Sequence, residues 1–476
     1  MRRHDLVVLG GGTAGLVAAF GAAGVGARAV LVERARTGGD CLWTGCVPSK
    51  SLIAAADLAQ RIRDGGRLGI RPIEPEVDFA AVMAHVRRAQ AAIEPRDSPE
   101  RLRRAGVELI ETEGRFAGPG RIEAGGSELR YRRALVATGS RPVLPPVPGL
   151  AEAEPLTSDT IWRLERLPAR LAVLGGGPVG CELAQAFARL GSAVTLVEAA
   201  DRLLGREEPQ AGELVAARLR AEGVHVRLGT QAEGVEPGRL LVPGAGVEFD
   251  ALLVATGRRP NTEGIGLEAV GARTTPDGAV AVDDRMRTTA RGVFAAGDVT
   301  GALPFTHVAA EHGRIVVPNA LFGARRRMSY DAVPWVTFTD PEVARVGMSE
   351  AQARERLGEI VVRRLDYGDL DRAVAAGETD GFCKLVGDRR GRIVGATIAA
   401  RQAGEAIGEI AAWMRSGAGL GDLSRAVHAY PTLAEGPARA ADEHLREKYL
   451  NDRVRTAARP LLAALRLLDA ATAPRR

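Results

Sequence analysis

Three features of the sequence predict an α/β fold. A short apolar strand, a glycine-rich turn, an alanine-rich helix and a second strand ending in an acid follow one another between residues 5 and 33. The same order recurs between residues 171 and 198. Further strands break off in Ala-Thr-Gly at 137–139 and 255–257 and in Ala-Gly-Asp at 296–298, as if each closed a nucleotide-binding sheet. Strand–helix–strand units of this length build parallel sheets covered by helices. Two Rossmann-like, three-layer dinucleotide-binding domains are therefore expected.

In the first copy the strand Asp5–Leu9 runs into Gly10-Gly11-Gly12-Thr13-Ala14-Gly15, and the helical pattern extends to about Gly24. Gly10, Gly12 and Gly15 permit a tight turn and let backbone N–H groups approach a pyrophosphate at the helix N-terminus. Glu33, closing the next strand, stands where a carboxylate accepts hydrogen bonds from an adenosine ribose. In the second copy Gly175, Gly177 and Gly180 open a helix that runs to about Leu190, and the strand Ala193–Val197 leads to Glu198. The acid follows the first glycine by 23 positions in both copies. Two such units in one chain imply two dinucleotides, and so electron transfer from a soluble carrier to a bound one. Thr138, Gly139 and Gly257 mark the two Ala-Thr-Gly ends. Asp298, beside Gly297, suits the hydroxyls of a ribityl chain. Read singly, each of these segments is equally an ordinary strand-end turn.

The 476 residues exceed what one core organises, so several domains are expected. A net charge of +5 is small against 64 basic and 59 acidic residues, and no basic stripe with aromatic partners is present, which argues against nucleic-acid binding. The first apolar run, Leu6–Leu9, is too short for a signal-peptide core, and no uncharged stretch approaches a transmembrane helix. A cytoplasmic location is expected, where a lasting structural disulfide is not. Arginine supplies nearly all the positive charge. Lysine stands only at Lys50, Lys384 and Lys448.

Two of the four cysteines, Cys41 and Cys46, fall within GGDCLWTGCVPSK at 38–50. A zinc site needs about four ligands. No histidine is near this pair, and Cys181 and Cys383 offer no second one, so no metal site is expected. A structural staple would close a very small loop in a reducing compartment. A redox disulfide remains. Pro48 suits the first turn of a helix over PSKSLIAAADLAQRI, which sets Cys46 just before a helix N-terminus, where the dipole stabilises a thiolate. Cys181 and Cys383 read as core residues.

Taken together these segments resemble the FAD-dependent pyridine nucleotide–disulfide oxidoreductases of the glutathione reductase, dihydrolipoamide dehydrogenase and mercuric reductase group. The resemblance runs from about residue 5 to about residue 450. It rests on both glycine fingerprints, CxxxxCVPSK, the Ala-Thr-Gly and Ala-Gly-Asp ends, VPWVTFTDPEVARVGMSE at 333–350 and PTLAE at 431–435. It implies an FAD-binding domain of residues 1–150 and 281–332, an NAD(P)-binding domain of residues 151–280, and a C-terminal α+β dimerisation domain of residues 333–450 that builds a homodimer. It also implies FAD on the first fingerprint and NADH or NADPH on the second. Glu198 suits a 2′-hydroxyl and repels a 2′-phosphate, which favours NADH, although Arg202 partly offsets that. By the same resemblance Cys46 is the thiol next to the flavin and Cys41 the interchange thiol that meets substrate. Lys50 lies near the flavin and pairs with Glu182.

The sequence departs from the group in one chemical respect. Disulfide-reducing members carry a histidine directly before Pro-Thr, with a glutamate five residues after it, as the acid–base for substrate thiols. This chain keeps Glu435 but has Tyr430 at the histidine position, with His428 two residues earlier. A phenol that titrates near 10 is a poor base at neutral pH. Mercuric reductases share a tyrosine in this neighbourhood, but they add a C-terminal cysteine pair, and no cysteine follows Cys383. The expectation is a flavoenzyme with a mercuric reductase-like core. It passes electrons through Cys41 and Cys46 to a small disulfide or a soft metal ion such as Hg(II). A dihydrolipoamide dehydrogenase-type enzyme and a flavin–disulfide sensor with little turnover stand as alternatives. Residues 451–476 read as a tail with a short apolar helix that docks on the domain or a partner subunit, with no membrane contact expected.

Overall fold

The strand β1 (Arg3–Leu9) is buried on both faces: Leu6 and Val8 enter one apolar cluster, Val7 and Leu9 another. A continuous apolar run demands this of a central parallel strand. The computed structural model describes residues 3–472, in two compact units that meet in sequence at Tyr330 and Asp331.

In the first unit β1 joins β2 (Ala29–Glu33), β3 (Glu108–Glu111), β4 (Gly114–Gly118), β5 (Arg121–Ala124) and β6 (Ser127–Val136) in the order β3-β2-β1-β6-β5-β4. Val8 lies opposite Leu31 on one side and Leu135 on the other, both in parallel register. A second sheet is wholly parallel. It contains β7 (Arg170–Leu174), β8 (Ala193–Val197), β9 (His225–Arg227) and β10 (Ala251–Val254), ordered β9-β8-β7-β10, with Leu156–Thr157 outside β10. The chain then returns to the first sheet, where β11 (Val293–Ala295) pairs parallel with β6.

The helices are α1 (Thr13–Gly24), α2 (Gly39–Trp43), α3 (Cys46–Arg63), α4 (Phe79–Ile93), α5 (Pro99–Arg104), α6 (Pro178–Leu190), α7 (Pro209–Ala221) and α8 (Thr306–Phe322). Alanines 18, 19 and 22 of α1 and Ile315 and Val316 of α8 cover one face of the first sheet. The glycine turns that open α1 and α6 share one geometry. Gly10 and Gly175 take φ of 106° and 113°, in the left-handed region that favours glycine. A Cβ on Gly15 would stand 1.9 Å from the Gly10 carbonyl oxygen, and one on Gly180 would stand 1.9 Å from that of Gly175.

Helices α3 and α6 are joined twice. Lys50 Nζ lies 2.9 Å from Glu182 Oε2, and Arg189 bonds Asp57. Both links join residues 132 positions apart, so the helices run parallel and level, and their first residues, Cys46 and Pro178, start side by side. Arg189 also bonds Glu222 at 2.6 Å, with both side chains at 3% exposure or less.

The second unit is α+β. Strands β12 (Pro334–Thr337), β13 (Glu342–Gly347), β14 (Ile360–Asp366), β15 (Phe382–Asp388) and β16 (Ile393–Ala400) form an antiparallel sheet ordered β12-β13-β16-β15-β14. Ile407 and Ile410 of α9 (Ala403–Ser416) and Ala440 and Ala441 of α10 (Gly436–Tyr449) pack on Leu385 and Ile398. The tail helix α11 (Asp452–Thr472) is longer than the short segment the sequence suggested. Its Leu461, Leu462, Leu465 and Leu467 are exposed, so they are not buried within this chain. Among the described residues no helix is long and apolar enough to cross a membrane.

Breaking a buried ion pair strands the remaining charge, at a cost of about 3–5 kcal/mol. Arg189→Leu is therefore expected to lower stability by about 3 kcal/mol, read as a fall in the denaturant midpoint. Glu222→Gln with Arg189→Leu is expected to recover part of the loss.

Candidate functional site

Cys41 lies in α2 and Cys46 opens α3, with the joint Thr44–Gly45 between the two helices. The sequence suggested that α3 starts after Cys46, but the helix begins on it. Its cap is Gly45, so no side chain competes for the N–H groups of the first turn. Both cysteines are thiols in this structure. Cys46 Sγ lies 3.4 Å from the hydroxyl of Thr306, the first residue of α8. The hydrogen bond from Cys41, that from Thr306 and the charge of Lys50 hold Cys46 down at about 6, against burial and the Glu182 charge. Cys41 moves the other way. Its hydrogen bond to Cys46 and its burial push it well above the usual thiol range. The two thiols titrate as a pair, and the opposite shifts favour the thiolate on Cys46.

The segment between the cysteines is pinned at several points. The Trp43 indole N–H donates to Thr37 O at 2.8 Å, and the Arg36 guanidinium lies 4.0 Å above its ring. Trp162 donates to Thr44 O at 2.8 Å and to Ser158 O at 2.7 Å. Gln90 of α4 donates to Leu42 O and Trp43 O at 3.1 and 2.9 Å. Asp40, next to Cys41, bonds Arg258. Burial, then the charges of Asp159, Asp298 and Glu33, push it up to about 6 against the pull of Arg258. Arg258 Nε also donates to Ser140 Oγ at 2.8 Å, and Ser140 Oγ donates to Asp298 at 2.8 Å.

The two glycine turns carry matching acids. Glu33 accepts from Gly11 N at 2.5 Å and from Ala35 N at 2.8 Å; Glu198 accepts from Gly176 N at 2.5 Å and from Ala200 N at 2.7 Å. The caps of α1 and α6 are Gly12 and Gly177, neither with a side chain to occupy the first N–H groups, and a Cβ on Gly177 would meet no atom within 4 Å. A turn with free N–H groups, open space above it and a carboxylate at the neighbouring strand end fits the pyrophosphate and ribose of a dinucleotide. Thr138 Oγ1 donates to Asn261 O at 2.6 Å, and Gly139 O accepts from Asn261 N at 2.9 Å. Gly257 O accepts from Val143 N at 3.1 Å, and Ser140–Pro142 pairs antiparallel with Arg258–Pro260, so the two Ala-Thr-Gly ends are tied to each other. Arg202 donates to Gly205 O. Cys181 and Cys383 are fully buried, and burial pushes both thiols up.

In the second unit Tyr430 is exposed and its hydroxyl donates to Asp371 at 2.9 Å, which raises the phenol further from neutrality. His428 Nδ1 lies 3.0 Å from Ala426 O and Nε2 lies 2.9 Å from Glu409 Oε1. Both partners are acceptors, so both bonds form together only when the ring carries two protons. Glu435 Oε1 lies 3.5 Å from Arg439 Nη1, while its buried Oε2 has no partner among the described residues. The structure thus brings Cys41, Cys46, Lys50 and Glu182 together in the first unit and holds Tyr430, His428 and Glu435 in the second. Sequence reasoning missed Thr306, Gln90, Trp162 and Arg258. Only Thr306 had a signal, as the first helical residue after the Gly297-Asp298 turn.

Residues 4–313 match the family described as pyridine nucleotide-disulphide oxidoreductase, and residues 333–441 match its dimerisation domain. The chain is 38% identical over 447 residues to a mercuric reductase of Streptomyces lividans, covering 91% of this chain and 94% of that one. It is 35% identical over 460 residues to a dihydrolipoyl dehydrogenase of Thermus scotoductus, covering 93% and 97%. Among solved structures it superposes on the Cu(II) complex of the HOCl-induced flavoprotein disulfide reductase RclA from Escherichia coli. The TM-score is 0.82, with 29% identity, covering 93% of this chain and all of that one.

A hydrogen bond to a charged group is worth about 1.5 kcal/mol, close to one pH unit in a titration. In a Cys41→Ser background, Thr306→Val is expected to move the Cys46 midpoint upward by about one pH unit, read from ultraviolet thiolate absorbance.

Proposed function

Because the chain belongs to the pyridine nucleotide-disulphide oxidoreductase family, we propose that it is an NAD(P)H-dependent FAD flavoenzyme that delivers electrons through Cys41 and Cys46 to an acceptor. That acceptor is a small disulfide or a soft metal ion such as Hg(II). The observation that carries the reading is the asymmetry of the thiol pair. Cys46 opens α3, 3.4 Å from the Thr306 hydroxyl, and its thiol is pushed down while that of Cys41 is pushed up.

Bound FAD supplies a two-electron carrier between a nicotinamide and the cysteine pair. Gly10, Gly12, Gly15 and Glu33 would hold its pyrophosphate and ribose, with Asp298 for the ribityl chain. Gly175, Gly177, Gly180 and Glu198 would hold the nicotinamide dinucleotide. The level starts of α3 and α6 place two helix N-termini and Lys50 beside Cys46, a setting that favours negative charge there. Glu182, at 7% exposure, keeps the ammonium in place. Glu198 already accepts two backbone N–H bonds, which supports a ribose hydroxyl over a 2′-phosphate and so NADH over NADPH. Arg202 donates to Gly205 O, which supports the same preference.

Tyr430, raised and bonded to Asp371, lacks the proton chemistry that disulfide-reducing relatives draw from a histidine. That supports a mercuric reductase-like core over a dihydrolipoamide dehydrogenase-type enzyme. The match of residues 333–441 to the dimerisation domain supports a homodimer built through the second unit. The reaction is proposed for the cytoplasm, where the pair cycles between dithiol and disulfide.

Purified protein is expected to carry FAD and to oxidise NADH with at least one of a panel of small disulfides, quinones and Hg(II). NADH is expected to exceed NADPH by about tenfold in kcat/KM, the equivalent of about 1.4 kcal/mol. Cys41→Ser is expected to abolish acceptor reduction yet keep the thiolate-to-flavin absorption band, which Cys46→Ser removes. Protein without FAD, or Cys41→Ser turning over every acceptor at the wild-type rate, would contradict the reading.

A further inference from the structure

We infer that His312 is a positioning residue for the Gly297–Asp298 turn, whose backbone it holds through Nδ1. The inference deepens the proposed function, since it rests on Asp298 meeting the ribityl chain of FAD. Strand β11 pairs with β6 as far as Ala295 and Val136, and Ala296 N still donates to Val136 O at 2.9 Å. The next amide, Gly297 N, is buried and lies beyond the end of both strands. It donates to His312 Nδ1 of α8 at 3.1 Å. Gly297 takes a φ of 78°, so the chain turns sharply at the residue this bond holds. A buried amide without an acceptor costs about 1–3 kcal/mol, so the contact decides which turn geometry is stable.

The side chain of His312 is wholly buried. An amide N–H can only donate, so Nδ1 carries no proton and Nε2 carries it. Nε2 lies 2.9 Å from the Tyr330 hydroxyl, which accepts, and the two rings meet edge to face with centroids 5.9 Å apart. Burial pushes the imidazole down to about 4, against the charge of Glu311 beside it on α8, which keeps the accepting form at neutral pH.

The turn is fixed from two sources. Ser140 Oγ donates to the Asp298 carboxylate at 2.8 Å, and His312 holds the backbone that carries it. Helix α8 is itself set tightly against α1: a Cβ on Gly313 would stand 2.9 Å from Ala14 O, and one on Gly297 would stand 3.4 Å from Ala14 Cβ. Ala14 belongs to the first glycine turn. The same α8 begins with Thr306, 3.4 Å from Cys46 Sγ. One helix thus carries both the contact to the reactive sulfur and the acceptor for the Asp298 turn, and it sets the spacing between them.

The test compares His312→Leu, which fills the space without an acceptor, with His312→Asn, which supplies an acceptor but leaves a void. Release of FAD from the holoprotein is followed by flavin fluorescence, and hydrogen exchange of residues 293–300 by mass spectrometry. His312→Leu is expected to speed FAD release by about tenfold and to speed exchange of that segment. His312→Asn is expected to stay within about threefold of the wild type in release, with wild-type exchange. The opposite order, Asn faster than Leu, marks a packing role and overturns the inference. So does a Leu variant that loses thermal stability yet releases FAD at the wild-type rate. Should His312→Leu not fold, His312→Ala takes its place: it leaves a void without an acceptor, and release no faster than from His312→Asn overturns the inference. Wild-type protein that carries no FAD strikes the proposed function instead, and exchange of residues 293–300 in the same variants still decides whether His312 holds the turn.

Discussion

The parallel, level contact of α3 with α6 is the constraint on which the rest of the first unit depends. One helix starts on the reactive thiol and the other on the second glycine turn. Two ion pairs, Lys50–Glu182 and Arg189–Asp57, set their register at both ends. Charges taken from water repay their desolvation only when well paired, so a slip of one turn, which would break both cross-links between the helices, is opposed. The same register sets two positive helix ends beside one sulfur. The electrostatics of Cys46 therefore follow from helix packing more than from any residue next to it in sequence.

The two glycine turns share one backbone solution. Gly10 and Gly175 adopt the same left-handed conformation, Gly15 and Gly180 make the same close approach, and Glu33 and Glu198 bond the same backbone positions. The sites differ in what surrounds them. Asp40, Arg258, Ser140 and Asp298 form one hydrogen-bonded chain, and Trp162, just after the Leu156–Thr157 edge of the second sheet, reaches the Thr44 carbonyl between the cysteines. The segment between the cysteines is thus held by elements associated with both parallel-sheet regions.

Under the proposed function, proton handling is where this chain departs from the group it resembles. A cysteine pair that shares one proton needs a group to move that proton whenever Cys41 becomes a nucleophile. Tyr430, held by Asp371, is made less able to do so, and His428 is committed to Glu409 and the Ala426 carbonyl. A soft metal ion asks less of such a group than a disulfide does, because a thiolate bound to a metal needs no proton returned to a leaving sulfur.

By itself the sequence determined the α/β class, both glycine turns with their acids, and the cysteine pair at a helix start. Each is written in local spacing: glycine where φ must be positive, an acid at a strand end, proline in a first helical turn. The pairing of Lys50 with Glu182 came from resemblance, since 132 positions separate them. Only the tertiary structure decided that Thr306 faces Cys46 and that Gln90 and Trp162 pin the segment between the cysteines. These contacts join elements distant in sequence, and no periodicity or motif encodes them. The pKa values of the two thiols belong to that class as well, because they depend on burial and on charges that only the packed chain brings together.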